Sequence, residues 1–205
     1  MKKKALIATI IFEGVALALC AGCSRLFEAK LRLLDADLRL AACDGDIKKV
    51  KNLLERGADV NVTGVQGTSA LISAEACTLH DKLTESRVQL VELLISKGAV
   101  VNHRASDGGT ALMYAARNGD TEAVKALLRN GATVNIADKE GETALMKAAA
   151  SSCTEETVRA LLSAGADLNA RDHKGRNALD SFRASYACPE SKVGDLLKME
   201  TQKNK

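Results

Sequence analysis

The residues best able to do chemistry in this chain are its six cysteines and three histidines. Such side chains bind metals or act as nucleophiles and bases only when several of them converge. His80, His103 and His173 are far apart in sequence, and we interpret each as a surface or turn residue. The chain also lacks a Gly-x-Ser-x-Gly nucleophile motif and a Gly-x-x-x-x-Gly-Lys phosphate loop. We therefore predict no catalytic site, no metal site and no cofactor.

The N-terminal segment from Met1 to Cys23 has the three-part organisation of an export signal. The lysines Lys2 to Lys4 are followed by an apolar run from Ala5 to Ala21, which ends in small residues. An uncleaved membrane anchor is the alternative, but the run is shorter than the roughly 20 residues that span a bilayer. It also contains Glu13, and a carboxylate is costly inside a membrane. We predict a cleaved signal peptide at residues 1–22.

The end of this segment carries a possible lipid-attachment site. Leu19 to Cys23 resembles the lipobox of bacterial lipoproteins, in which the cysteine after a small residue receives lipid and becomes the mature N terminus. The resemblance implies lipid attachment at Cys23, and a plain secreted form is the alternative because Cys20 stands where the motif usually has Leu. Ser24 in place of Asp implies, by resemblance to enterobacterial sorting rules, transfer to the outer membrane. The predicted location is the bacterial cell envelope, on the periplasmic side.

Two glycine markers recur behind this segment with one rhythm. Gly-Ala pairs and the glycines ahead of an Ala-Leu pair are each repeated at the same three intervals, of which the first is the longest. Thr or Ser near each helix start can cap free backbone N–H groups, and an Ala-rich helix follows. A second helix carries Val, Leu and Leu or Ile at i, i+3 and i+4, as an amphipathic helix requires. The Gly-Ala pairs begin at Gly57, Gly98, Gly131 and Gly165, the second marker at Gly67, Gly108, Gly141 and Gly175, and the second helices carry Val50, Val91, Val124, Val158 and Val193.

This pattern resembles the ankyrin repeat, whose 33-residue unit carries a Thr-Pro-Leu-His core. The resemblance covers residues 36–200 and implies an all-α ankyrin-repeat solenoid of about five helix-turn-helix repeats with short β-turn fingers. A tether or capping helix is predicted at residues 23–35 and a polar tail at 201–205. The Pro of the family is replaced by Ala70, Ala111, Ala144 and Ala178, and its His by Ile72, Met113, Met146 and Asp180. The repeats are predicted at residues 36–63, 64–104, 105–137, 138–171 and 172–200.

Two segments depart from the regular unit. In repeat two the stretch from the first-helix Leu71 to the second-helix Val91 is longer than its counterpart in repeat three, so repeat two holds an eight-residue insertion within Cys77–Arg87. The insertion is either a binding loop or neutral added length, because loops tolerate both. Ahead of repeat one, some apolar side chains can share a helix face, which predicts either a lid over repeat one or a membrane-surface helix. These residues are Leu26, Phe27, Leu31 and Leu34, together with Lys30.

Four cysteines remain once residues 1–22 are removed and Cys23 is assigned to lipid. An even number of cysteines in an oxidising compartment favours disulfides. Each lies near the turn between the two helices of its repeat, so adjacent repeats predict the pairs Cys43–Cys77 and Cys153–Cys188. Packed helices lie about 8–10 Å apart and bridged Cα atoms within about 7 Å, so loops must close the gap. Four reduced, buried cysteines are the alternative.

The family resemblance implies that a partner protein binds at the turn tips and on the concave face of the first helices. A net charge of +3, of which the signal segment contributes +2, predicts no nucleic-acid partner, and no small-molecule substrate is predicted. Mixed charge and few aromatics predict a polar partner. An immunity protein or inhibitor, and an assembly factor for an envelope enzyme, are the alternative functions. The candidate residues are Val65, Gln66, Ser106, Asp107, Lys139, Glu140, His173 and Lys174 at the tips, then Thr68, Glu142 and Arg176, with Arg117 and Asn118 at a helix end.

Overall fold

A computed structural model describes residues 21–77, 84–152, 154–185 and 192–203. Most of the predicted signal peptide and the predicted Cys153–Cys188 pair lie outside these residues, as does His80 in the insertion. The described part of the chain contains α-helices and no strand, apart from one isolated bridge between Ala137 and Thr143. The predicted all-α fold class is confirmed.

The helices follow one another in pairs, one pair for each predicted repeat. Helix α4 begins inside the predicted insertion Cys77–Arg87, and α10 extends into the predicted polar tail. The pairs are α1 (Ala21–Cys43) with α2 (Ile47–Glu55), α3 (Ala70–Ala76) with α4 (Thr84–Ser96), α5 (Ala111–Asn118) with α6 (Thr121–Arg129), α7 (Ala144–Lys147) with α8 (Glu155–Ser163), and α9 (Ala178–Ala184) with α10 (Val193–Lys203).

Short polar side chains start the first helices of repeats two to five. Ser69, Thr110 and Thr143 each accept a hydrogen bond from the backbone N–H three residues later. Asn177 does the same and forms a capping box with Asp180. These bonds satisfy N–H groups that have no partner within the helix, which is why Ser, Thr or Asn stands at the start of each of these helices.

The core is a continuous aliphatic layer between the two rows of helices. The first-helix leucines Leu38, Leu71, Leu112 and Leu145 are at most 2% exposed. Alanines in the same helices let neighbouring repeats approach closely. The fully or almost fully buried alanines are Ala41, Ala74, Ala115 and Ala148.

Repeat four differs from repeat three by one residue, and the structure shows where it is accommodated. The stretch from Leu145 to Val158 is longer by this one residue than the stretch from Leu112 to Val124. Helix α7 continues as a π-helix over Ala148–Ser152. A single-turn π-helix inside an α-helix provides room for one added residue. The extra residue therefore widens one helical turn and leaves the repeat register intact.

A ladder of asparagine side chains joins successive repeats along one edge of the stack. The Asn61 amide donates to the carbonyl of Gly98 at 2.9 Å and accepts from the N–H of Val100 at 2.9 Å. Asn102 and Asn135 make the same pair of bonds to the next repeat, at 2.8 to 3.0 Å. Each side chain satisfies a helix-terminal carbonyl and a loop N–H together, which ties the loops of adjacent repeats in register.

The N-terminal helix α1 combines the predicted tether with the first helix of repeat one. It runs without a break through residue 35, and Leu34 and Leu38 are buried in the core whereas Leu33 and Leu40 are exposed. Asp35 accepts a hydrogen bond from the N–H of Asp59 at 3.0 Å. The side chains of Leu26, Phe27, Lys30 and Leu31 lie outside the described part of the chain.

A disulfide joins the ends of the first helices of repeats one and two. Cys43 and Cys77, one of the two pairs suggested by the sequence, have their Cα atoms 5.3 Å apart. This is closer than the roughly 8–10 Å between packed helix axes. The reason lies at the end of α3, because Cys77 leaves the helix in an extended conformation (φ −89°, ψ 112°). The change of direction carries its sulfur towards α1.

Candidate partner-binding surface

The turns ahead of the first helices form fingers that are tied to one another through their backbones. In repeats three, four and five, a backbone N–H group of the finger donates to a carbonyl oxygen of the preceding finger, with N–O distances of 2.8 to 2.9 Å. The three bonds run from Ser106 to Gln66, from Lys139 to Asp107 and from His173 to Glu140. The predicted tip residues therefore lie side by side in one continuous row.

Aspartates hold the shape of the fingers of repeats four and five from inside. Asp138 and Asp172 each accept hydrogen bonds from backbone N–H groups two and four residues later, at 2.8 to 3.0 Å. Burial disfavours the charged form of Asp172, but hydrogen bonds from Arg176 and the Lys174 backbone outweigh burial and lower its pKa. The fingers are consequently preorganised, since their turns are fixed without a partner.

Tyr114 lies on helix α5, the first helix of repeat three. Its hydroxyl donates to Asp107 Oδ2 at 2.8 Å, and the Arg117 guanidinium lies 5.9 Å from the ring centroid. A Cβ on Gly109 would lie 3.0 Å from both the ring and Asp107 Oδ1, so a side chain here would have to displace one of them by a few tenths of an ångström. Burial and the hydrogen bond to Asp107 raise the pKa of Tyr114 to about 12. The ring is thus held as a fixed neutral phenol.

Sequence reasoning did not include Tyr114 among the candidate binding residues. Two signals were present in the sequence. First, Tyr114 lies two residues past the first-helix Leu112, and the equivalent position in repeat four is Lys147, so the residue here differs between repeats. The chain also has Gly109 where the equivalent positions of repeats two, four and five carry a side chain, namely Thr68, Glu142 and Arg176.

Charged residues beyond Tyr114 pair with one another. Lys147 contacts Asp138 at 2.8 Å and also pairs with Glu142, while Arg176 contacts Asp172 at 2.7 Å and Glu142 at 3.5 Å. Burial would lower the pKa of Lys147, but its hydrogen bonds to Asp138 and Glu142 raise it. Glu142 and Arg176, both predicted to bind a partner, are therefore engaged inside the protein and shape the surface.

The predicted residues divide into two groups in the structure. Thr68, Asn118, Glu142 and Arg176 are half-buried, and the Asn118 amide donates to the backbone carbonyl of Glu75 at 2.6 Å. The others are exposed along the finger row and the end of α5. The exposed group consists of Val65, Gln66, Ser106, Asp107, Arg117, Lys139, Glu140, His173 and Lys174.

The described ranges contain no cluster of three His, Cys, Asp or Glu side chains placed to hold a metal ion together. His103 is instead hydrogen-bonded through Nε2 to the carbonyl of Gly67 at 2.7 Å. Across the same part of the chain, every helix is too short or too polar to cross a bilayer.

The paired helices and the hydrogen-bonded fingers define a helical repeat protein. Residues 79–172 match the family model of ankyrin repeats in three copies. These residues are therefore ankyrin repeats. The chain is 34% identical over 87 residues to the inactive serine/threonine-protein kinase TEX14 of Mus musculus. The aligned residues make up 42% of this chain and 5% of that protein. Ankyrin repeats are generally non-catalytic modules, and they indicate a protein–protein interaction scaffold.

Proposed function

We propose that this protein is a non-catalytic scaffold that binds one partner protein across its finger row and the concave face around Tyr114. The observation that carries the proposal is the fixed position of the Tyr114 ring between Asp107, Gly109 and Arg117. Tyrosine and arginine, with tryptophan, are enriched among the few residues that contribute most of the binding energy at protein interfaces. A side chain that is already ordered loses little conformational entropy on binding, so more of the contact energy appears as affinity.

The affinity of the partner should depend most strongly on Tyr114. Envelope extracts are passed over the immobilised full chain, and the captured protein is then purified to measure its Kd. Tyr114→Ala should weaken binding by about 30-fold or more, as expected for an interface hot spot. Lys139→Ala and Lys174→Ala remove exposed tip charges and should weaken binding by about fivefold or less.

Lys125→Ala is the matched control for this experiment. Lys125 lies on α6, in the outer row of helices, where it pairs with Glu122. Its removal should leave the Kd unchanged. Equal binding by wild type and Tyr114→Ala would contradict the proposed interface and favour the insertion within Cys77–Arg87 as the binding site. A captured toxin or secreted enzyme would identify the protein as an inhibitor, and a captured envelope enzyme that needs it for stability would identify an assembly factor.

We also propose that the protein faces the bacterial periplasm, bound to a membrane, preferably the outer membrane, through lipid on Cys23. The lysine-led apolar segment and the lipobox-like end at Leu19 to Cys23 support this location. The Cys43–Cys77 disulfide also supports export, because disulfides persist in oxidising compartments and are rare in the reducing cytosol.

Replacement of the lipid-bearing thiol tests this location directly. Cys23→Ser should abolish incorporation of radiolabelled palmitate, because the acyl chains of the proposed anchor are attached at this residue. A Cys23→Ser protein that still takes up label, or a wild type that takes up none, would contradict lipid attachment at this residue.

A further inference from the structure

One buried side chain breaks the pattern that the other repeats follow. Glu75 lies four residues past the first-helix Leu71, at a position that is alanine in repeats one, three and four. Those alanines, Ala42, Ala116 and Ala149, are at most 1% exposed. Glu75 is 0% exposed at the same level of the stack. A carboxyl group has thus been placed where the repeat requires a small apolar residue.

No hydrogen bond from the described residues compensates for this burial. Neither carboxyl oxygen of Glu75 has a hydrogen-bond partner among them. The nearby amide of Asn118 donates to the backbone carbonyl of Glu75 and leaves the carboxyl group unpaired. Buried polar groups are almost always hydrogen-bonded, and an unpaired buried carboxylate is far more costly than an unpaired neutral acid. The environment therefore favours the protonated form.

The surrounding charges favour the same form. Helix α3 packs against α1, α4 and α5, and the charged groups that act on Glu75 are Arg87 from α4 and Asp120 from the start of α6. Arg87 is already paired with Asp120, Nη1 to Oδ2 at 3.3 Å. One guanidinium thus serves two buried carboxyl groups, and only one of these can be charged without leaving an uncompensated negative charge.

We propose that Glu75 is a proton-binding site that links the packing of helix α3 to pH. With its proton, the side chain is a neutral part of the core between repeats two and three. Without it, the carboxylate needs water, which can reach it only if α3 separates from α5 and from the Arg87–Asp120 pair. Burial, followed by the charge of Asp120, raises the pKa of Glu75 from 4.5 to about 8, and Arg87 lowers it only in part.

The sign of the pH dependence follows from this raised pKa. In the closed state Glu75 keeps its proton up to about pH 8, whereas in the opened state it loses the proton near pH 4.5. Opening therefore releases a proton throughout this window and becomes easier as the pH rises. The equilibrium constant for opening should increase about tenfold for each pH unit between about pH 5.5 and 7.5.

Two measurements on the full chain test the proposal. A carbon-13 NMR titration of the side-chain carboxyls should show Glu75 with a midpoint near pH 8. Amide hydrogen exchange, corrected for the intrinsic pH dependence, should show the tenfold change per unit at residues 70–77. Glu75→Gln keeps the shape of the side chain and Glu75→Ala restores the residue of the other repeats. Both should remove the pH dependence at α3.

Glu55→Gln serves as the control, because Glu55 is exposed at the end of α2. This variant should keep the full pH dependence at residues 70–77. A Glu75 midpoint near 4.5, or an unchanged pH dependence in Glu75→Gln, would overturn the proposal. If neither Glu75 variant folds, the titration of the wild-type carboxyl decides the question by itself.

Discussion

Reduction of the Cys43–Cys77 disulfide is expected to lower the free energy of unfolding by about 4 kcal/mol. The bond closes a segment with a sequence separation of 34, which contains the whole of helix α2 and the finger ahead of α3. A cross-link of this length removes many conformations from the unfolded chain, and reduction returns them. The repeats stack one on the next, so the loss should be largest in repeats one and two.

Urea unfolding with and without a thiol reductant measures this effect. The double variant Cys43→Ala and Cys77→Ala lacks this bond and should lose about 4 kcal/mol relative to the oxidised wild type without any reductant. A further loss when the reductant is added to the variant would measure the predicted Cys153–Cys188 pair. Equal stability of oxidised and reduced wild type would mean that the bond does not restrain the fold.

Arg87→Met should destabilise the protein by about 3 kcal/mol. The Arg87 and Asp120 side chains are 17% and 4% exposed, so their ion pair is largely shielded from water. Removal of the cation leaves Asp120 buried beside Glu75 without the opposite charge that now faces it. Asp120 must also accept the N–H of Ala123 to start helix α6, so it cannot turn away to find water without losing this cap.

The comparison for Arg87 is Arg129, which pairs with Glu92 between the same two helices. That pair is 3.8 Å long, its side chains are 60% and 54% exposed, and Arg129→Met should cost less than about 1 kcal/mol. Thermal unfolding of both variants at one pH gives the difference. Adding Asp120→Asn to Arg87→Met should recover part of the loss, because asparagine keeps the cap and removes the charge. Equal effects of Arg87→Met and Arg129→Met would contradict the buried ion pair.

The ion pairs around Glu142 have a consequence for the interface. Lys147 and Arg176 both contact Glu142, so these side chains are held in place before any partner arrives. The charges that the finger row presents to solvent are instead on exposed residues such as Lys139 and Lys174. Binding should therefore rely on a fixed centre at Tyr114, with the tip charges adding selectivity and speed of association more than affinity.

The sequence by itself determined the repeat fold, since the signals that specify it are local. Ser69, Thr110 and Thr143 cap helices that begin immediately after them. The spacing of Leu112 and Val124 places both residues in the core, because side chains repeat along a helix with its own period. The added residue of repeat four was likewise visible as a longer spacing, although its accommodation in the π-helix Ala148–Ser152 was not.

Only the tertiary structure decided which polar residues are exposed and which are engaged. Glu142 and Arg176 read as exposed finger charges in sequence, yet their ion pair crosses from one repeat to the next, and helical periodicity contains no information on such contacts. Within the described part of the chain, the Glu75 carboxyl is buried without a hydrogen-bond partner because the neighbouring repeats close over it and the nearby guanidinium is bound to Asp120. Tyr114 became a binding candidate through its contacts with Asp107 and Arg117. Local patterns specify which segments form helices and turns, whereas burial and charge pairing depend on residues that come together only in the folded stack.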